Sequence, residues 1–371
     1  MNGKPVHESL SHALDWVVDA ILPFWQGILF AKTFKYSLGR RVSAVLVPVV
    51  CDADAAHPVS GFPSHSHTFF CTRCLLRKTD INNLDIDSWP KRDIVEHRRR
   101  ALEWLNASPA EREKITKEYG VRYTPLLRLP YWDAIAYTII DSMHMGLLGL
   151  FETHIRNIWG IKGDAGGRKK RNEYHSHIKV TETWTHTVID DQLRQEVKTD
   201  MQRTILPTWM NAAPLEWGTP SGGRLSADHW NVLCSIHLVV TLIRVWAYDE
   251  DTTKLPYLYN FTHLVKGVHI LFLRSTSPAL IEQYTSHMLE YLKGLLQLFP
   301  DIQLAPNHHY SLHMGEFMES MGPNHSRNTF ATERINGYLQ DTDTNHIQGI
   351  HICFLGILAE TLQQVRPRTP C

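Results

Sequence analysis

The chain has 371 residues, 43% hydrophobic and 20% charged, which is enough apolar material for a core and too much for a largely disordered polymer. Thirty-eight basic side chains balance 38 acidic ones, so the formal net charge is zero. That balance excludes a uniformly basic nucleic-acid coat and leaves any DNA contact to local patches.

The length allows about two domains, or one domain with a long insertion. From the N-terminus, residues His7 to Lys32 carry Leu10, Leu14, Val17, Val18, Ile21 and Leu22 at helical spacing, which predicts a helix. The period then changes. Ser43 to Cys51 is a Val-rich apolar run, the mark of a buried strand, with Pro48 against it, and it ends at Asp52. A strand needs a partner, and the segment His67 to Phe70 is the candidate. Residues Lys91 to Gly120 read as charged helix, and Tyr131 to Ile161 as one longer apolar helix. Lys162 to Asn172 is a loop with a basic run, Arg168 to Arg171. Helices follow at about Asp190 to Ile205, Ser226 to Trp246, Ala279 to Leu298, His308 to Met321 and Ile347 to Val365. The class is α/β, mostly α. No run reaches the ~18 apolar residues of a membrane span. No apolar leader core follows Met1, so the expected location is intracellular.

Twenty-two histidines raise the prior for a metal site without placing one. Of the six cysteines, Cys71 and Cys74 form a CxxC turn that can give two thiolates to one tetrahedral zinc. The two further ligands are sought in Asn307 to His313. His309 and His313 are four apart and project from one helical face; His308 lies about 140° round the helix, the weaker partner unless the first turn is distorted. The competing reading makes the cysteines plain core residues. Asp52, at a strand end, is a candidate metal or catalytic carboxylate, or an N-cap. Glu333 alone reads as a surface helix residue. Asp141 and His144, three apart in an apolar stretch, read first as a buried pair and second as metal ligands converging with His308 to His313. Arg98 to Arg100 and the Arg168 run are solvated faces, phosphate contacts or an import signal. GxGxxG, P-loop, HExxH and GxSxG are all absent, so no nucleotide cofactor is expected.

In order along the chain, these segments resemble the transposases of CACTA (En/Spm-type) DNA transposons in the form found in mushroom-forming fungi. The matching stretches are Val49-Val-Cys-Asp52-Ala-Asp-Ala-Ala56, Gly61-Phe62, Phe70-Cys71-Thr-Arg-Cys74, Leu129-Pro-Tyr-Trp-Asp133 and Ile140-Asp141-Ser-Met-His144. Then come Leu225-Ser-Ala-Asp-His-Trp230, Asn307-His-His-Tyr-Ser-Leu-His313, Gly322-Pro323, Glu333-Arg-Ile-Asn-Gly337 and Thr344-Asn-His346, so the likeness spans about residues 40 to 350.

The resemblance implies a DDE-type recombinase with an RNase H-like core and a large helical, zinc-bridged insertion. The core is then residues 1–75, the insertion 76–305, and the C-terminal helices 306–371 complete it. It implies that Asp52 and Glu333 are the second and third catalytic carboxylates for magnesium, and that Cys71, Cys74, His309 and His313 share a structural zinc. It further implies DNA ends as partner, a nuclear location and room for self-association. The family's first Asp lies on a strand before the first helix. Met1 stands just ahead of that helix here, so the expectation is a truncated transposase without DNA cleavage. The family's Asp-Leu-Pro-Ala reads Asp52-Ala-Asp-Ala, and its Asp-Pro-Met-His-Asn reads Asp141-Ser-Met-His-Met145. The alternative is a non-catalytic, zinc-stabilised DNA- or protein-binding module.

Overall fold

The computed structural model describes residues 7–161, 187–250 and 252–341. The expected loop Lys162 to Asn172 with its basic run, the helix Ile347 to Val365 and the Thr344-Asn-His346 motif lie outside them. The chain divides into a large unit, Met1–Thr329, and a small one, Phe330–Cys371.

Helix α1 spans His7–Gln26 and stops earlier than its apolar spacing suggests. Gly27 takes φ +85°, a left-handed conformation that breaks the helix. The next residues form an antiparallel hairpin, β1 (Ile28–Phe30) with β2 (Arg40–Val42). Val18 is fully buried and packs with Leu14, Ile21 and Leu22 against Phe62, Leu126 and Trp132. Arg128 fastens the outer face through Asp15 and Asp19.

The Val-rich run yields a strand only at β3 (Val49–Cys51). Upstream, its backbone is satisfied elsewhere: Leu46 N–H donates to the Tyr131 hydroxyl (2.9 Å) and Ala44 N–H to the Phe24 carbonyl (3.2 Å). The strand's partner is not His67 to Phe70. It is β4 (Thr138–Ile140), parallel, in register Val49↔Thr138 to Cys51↔Ile140. Thus the stretch Tyr131 to Ile161 is not one helix. Asp133 caps a single turn, α5 (Ala134–Tyr137), with both Ile135 and Ala136 N–H groups on its carboxylate. Strand β4 follows, and then α6 (Met143–Phe151 continuing through His154–Ile158), wound in wide i→i+5 turns. The β-branched run Thr-Ile-Ile favours extension, and burial on both faces hides the period that would announce it.

Between β3 and β4 lie α2 (Ala53–Val59), α3 (Ile94–Asn106) and α4 (Pro109–Tyr119). The charged stretch Lys91 to Gly120 is two helices because Ser108 and Glu111 form a capping box that starts a new one, with Pro109 at its first position. Arg98 donates to the Leu127 carbonyl (2.8 Å), while Arg99 and Arg100 pair with Glu96 and Glu103. This basic run is spent internally.

The remaining large unit is helical: α7 (Asp191–Arg203), α8 (Ala227–Ala247), α9 (Leu255–Leu271), α10 (Pro278–Leu298) and α11 (Pro306–Met321). Helix α9 has no counterpart in the sequence reading. Its buried residues, such as Phe261, Leu264 and Val268, are interleaved with buried Asn260 and Gly267, so no clean apolar stripe marks it. By length and composition α8 alone among the described helices can cross a membrane. Here its buried side, Leu233, Leu238 and Leu242, lies in the core, and its Arg244 pairs with Asp200 and Glu196. Helix α6 is buried almost all round and is the axis on which α8 and α11 pack. The described residues are mostly helical with two small sheets, in line with the α/β, mostly α, expectation. The small unit holds α12 (Phe330–Asp341), with Glu333 exposed in its first turn.

Candidate metal centre

The CxxC turn is built before any metal enters. Leu75 N–H donates to the Pro90 carbonyl (2.7 Å) and Arg92 N–H to the Arg73 carbonyl (3.3 Å), so the 90–92 segment clamps it. Arg73 N–H donates to the Cys71 sulfur (3.3 Å). Helix α11 delivers the other two ligands. Its start is fixed by Pro306 and by the His308 ring, whose Nδ1 accepts the Ala305 N–H (3.0 Å). His308 is therefore a cap, and the open choice between His308 and His309 resolves to His309.

Cys71, Cys74, His309 and His313 are all buried, and their ligand atoms lie within 4.8 Å of one another. The Cys74 sulfur is 3.3 Å from His309 Nε2, which is 3.2 Å from His313 Nε2. In tetrahedral zinc, bond lengths of about 2.0–2.3 Å put neighbouring ligand atoms about 3.3–3.8 Å apart. Those two spacings are close to what one ion requires, and all four ligand atoms lie close enough together to share one. Their chemistry, two thiolates and two imidazoles, suits zinc. Trp89 lies 4.3 Å from the His309 ring and Phe70 4.8 Å from it, walling off water.

The electrostatics agree. Burial pushes the Cys71 thiol up, but Cys74, His313 and His309 together hold it well below its ordinary value. Cys74 moves the other way, upward, chiefly through its hydrogen bond with Cys71 and burial. Burial alone would lower His313, yet the Cys71 sulfur and Glu316 raise it to about 9. Glu316 Oε1 faces His313 Nδ1 at 3.4 Å, and its other oxygen takes Arg73 at 2.5 Å. A carboxylate behind a ligating imidazole orients the ring and raises its basicity. Arg92, half-buried beside both thiols, donates to the Cys71 carbonyl (2.9 Å). Burial lowers its pKa to about 10, against the pull of Cys71 and Cys74.

A second, metal-free stitch runs alongside. Asn82 Nδ2 donates to the Ile302 carbonyl and its Oδ1 accepts Leu304 N–H, both at 2.9 Å. Glu316, Arg73, Arg92, Trp89 and Asn82 were all missed by sequence reasoning. Only Glu316 had a readable signal, three residues beyond His313 on the same helical face.

The carboxylates behave differently. Asp52 ends β3 and caps α2, accepting the Ala55 N–H at 2.8 Å. Asp141 ends β4, one residue beyond the Cys51↔Ile140 pair, so the two aspartates follow neighbouring parallel strands. Asp141 is the buried, satisfied group its spacing suggests. Its Oδ1 accepts Thr329 N–H (2.9 Å), and its Oδ2 accepts the Thr329 hydroxyl (2.9 Å), His144 N–H (2.9 Å) and His144 Nδ1 (2.7 Å). Among the described residues the one group of three or more candidate metal ligands is the Cys2His2 set, so Asp141, His144 and His308 do not join it and it contains no carboxylate. Glu333 lies in the small unit.

Compared with protein-family models and with curated proteins, the chain finds no match in either.

Proposed function

We propose that the chain is a zinc-stapled, DNA-acting protein of the CACTA transposase type, with an RNase H-like core interrupted by a helical insertion. The observation that carries this reading is the meeting of Cys71 and Cys74 with His309 and His313 across most of the chain. A zinc there ties the two ends of the insertion and brings α11 back to the β3–β4 pair. The parallel order of β3 and β4, each followed by an aspartate, also supports it. On this reading zinc supplies structure, Asp52 and Glu333 are the magnesium carboxylates, and the protein works in the nucleus. Among the described residues no group of three or more candidate metal ligands contains a carboxylate.

That same observation favours a second reading, a non-catalytic zinc-stabilised module that binds DNA or protein. Two assays on the purified chain separate them: zinc content, and nicking or strand transfer with magnesium on labelled DNA. Both readings expect one zinc per chain. The module reading expects DNA binding that survives Asp52→Ala and Glu333→Ala together, without nicking. Nicking abolished by either substitution selects the recombinase and overturns the expectation that DNA cleavage is lost. A chain with neither zinc nor DNA affinity refutes both.

A further inference from the structure

The hairpin after α1 carries charge of one sign only. Between Asp19 and Asp52 there is no acidic residue, while Lys32, Lys35, Arg40 and Arg41 fall within it. All four are exposed. Among the described residues none of them has a carboxylate partner, whereas Arg99, Arg100, Arg128, Arg194, Lys198, Arg244 and Lys293 each do.

Aromatic side chains alternate with these cations. Phe34 is 110% exposed, its ring held out in solvent, and Leu38 is 97% exposed. The loop that presents them is ordered by its own bonds. Thr33 N–H donates to the Tyr36 carbonyl (3.0 Å), Tyr36 N–H to the Thr33 hydroxyl (3.0 Å), and Gly39 N–H to the Tyr36 carbonyl (3.2 Å). Gly39 closes the loop at φ +83°, where a Cβ would lie 2.7 Å from the Phe30 carbonyl oxygen. The Arg40 guanidinium lies 4.6 Å above the Tyr36 ring and donates to its hydroxyl. An arginine stacked this way keeps its remaining donors in a fixed fork.

We propose that this hairpin is a single-stranded nucleic-acid contact, in which Lys32, Lys35 and Arg40 take backbone phosphates and Phe34 stacks on an unpaired base. Unpaired cations attract phosphates and release counterions, and an exposed ring offers a face to any base. Cations that alternate with rings along the ribbon suit a strand of alternating phosphates and bases. A membrane surface would call for an amphipathic helix or a contiguous apolar wedge. The inference rests on the DNA-acting reading above and locates where that contact is made.

The test is fluorescence anisotropy on the full zinc-loaded chain, with a labelled mixed-sequence single strand and its duplex, over a salt series. The variants are Lys32→Gln/Lys35→Gln/Arg40→Gln together, and Phe34→Ala. Each neutralised phosphate adds about 0.7 to the salt slope on a single strand, so the triple variant should flatten it by about 2. Phe34→Ala should leave the slope unchanged and weaken binding about tenfold, the worth of one base stack. All variants should keep the parent's zinc content and circular dichroism. If the parent binds and the triple variant binds equally with the same slope, the hairpin assignment fails while the DNA-acting reading stands. A parent with no affinity for either nucleic acid overturns both. Binding only to phosphatidylserine-containing vesicles, and not to the single strand, also overturns the assignment.

Discussion

Replacing Cys71 with Ser removes one of four ligands from a cluster that links residues 235 apart, Cys74 and His309. Closing a loop of that length costs the chain about 5 kcal/mol in entropy, from (3/2)RT ln n. Structural zinc in small domains supplies about 10–16 kcal/mol of apparent binding energy, enough to offset that cost. Without the ion, one thiol and two imidazoles stay buried, with Glu316 behind His313 as their carboxylate partner. A loss on the order of 5 kcal/mol is then expected, a large share of the ~5–15 kcal/mol that holds a domain together. For a chain of 371 residues, at about 2.1 cal/mol/K of unfolding entropy per residue, it corresponds to a fall in Tm of about 6 °C. The assay is zinc content after dialysis against a mild chelator, with thermal melting followed by circular dichroism, with and without EDTA. The parent should retain one zinc and melt lower in EDTA. Cys71→Ser should retain none, melt low and ignore EDTA. Cys234→Ala, a buried thiol outside the cluster, should keep the zinc. The reasoning is refuted if Cys71→Ser holds one zinc and melts with the parent, or if EDTA leaves the parent unchanged.

Glu316→Ala should weaken zinc 10–100-fold, the usual effect of losing the carboxylate behind a ligating imidazole, in a competition titration with a chromogenic chelator. Asp141→Ala removes the acceptor of four hydrogen bonds from buried Thr329 and half-buried His144 and should cost about 3–5 kcal/mol in urea melts. Asp52→Ala loses one helix cap and should cost about 1 kcal/mol; equal losses would contradict the assigned burial and bonding. Burial lowers His57 to about 4 and His97 and His154 to about 3. The unfolded chain protonates these rings below about pH 6.5, so it takes up protons that the folded chain refuses. Their contribution to stability is therefore full above that pH and is lost as pH falls toward 3, at up to about 1.4 kcal/mol per pH unit for each ring. His97→Phe should remove one such increment from the slope of stability against pH between 4 and 6.5. An unchanged slope would place His97 in water.

The site was more legible than the fold around it. Metal chemistry needs fixed residue types at fixed spacing, and CxxC with a His pair four apart carries both in plain sequence. What the ligands lean on does not show. Arg73, Arg92, Trp89 and Asn82 are ordinary residue types whose role comes only from tertiary proximity. The strand partner was misplaced for a related reason. Thr138 to Ile140 sits inside an apolar stretch, and with both faces buried there is no alternation to separate strand from helix. Helix α1 overran because its apolar spacing continues into Ile28 and Leu29. The left-handed Gly27 stops it, and one glycine in a helical pattern is a weak signal. Asp52 was read two ways, and its capping role is visible. That role and a metal-binding one are compatible, because only one carboxylate oxygen is engaged by Ala55.

The Asn82 stitch has a consequence for which length changes this polypeptide can absorb. By gripping both Ile302 and Leu304, it fixes the phase in which α11 begins, a few residues before His309. One residue added or removed between Leu304 and His309 would turn the imidazoles about 100° away from the sulfurs. The turn between Leu271 and Pro278 lies outside the segment that leads from Asn82's grip to the imidazoles. Natural variants should therefore differ in length freely at the tip of the α9–α10 pair and hardly at all in the handful of positions leading into α11.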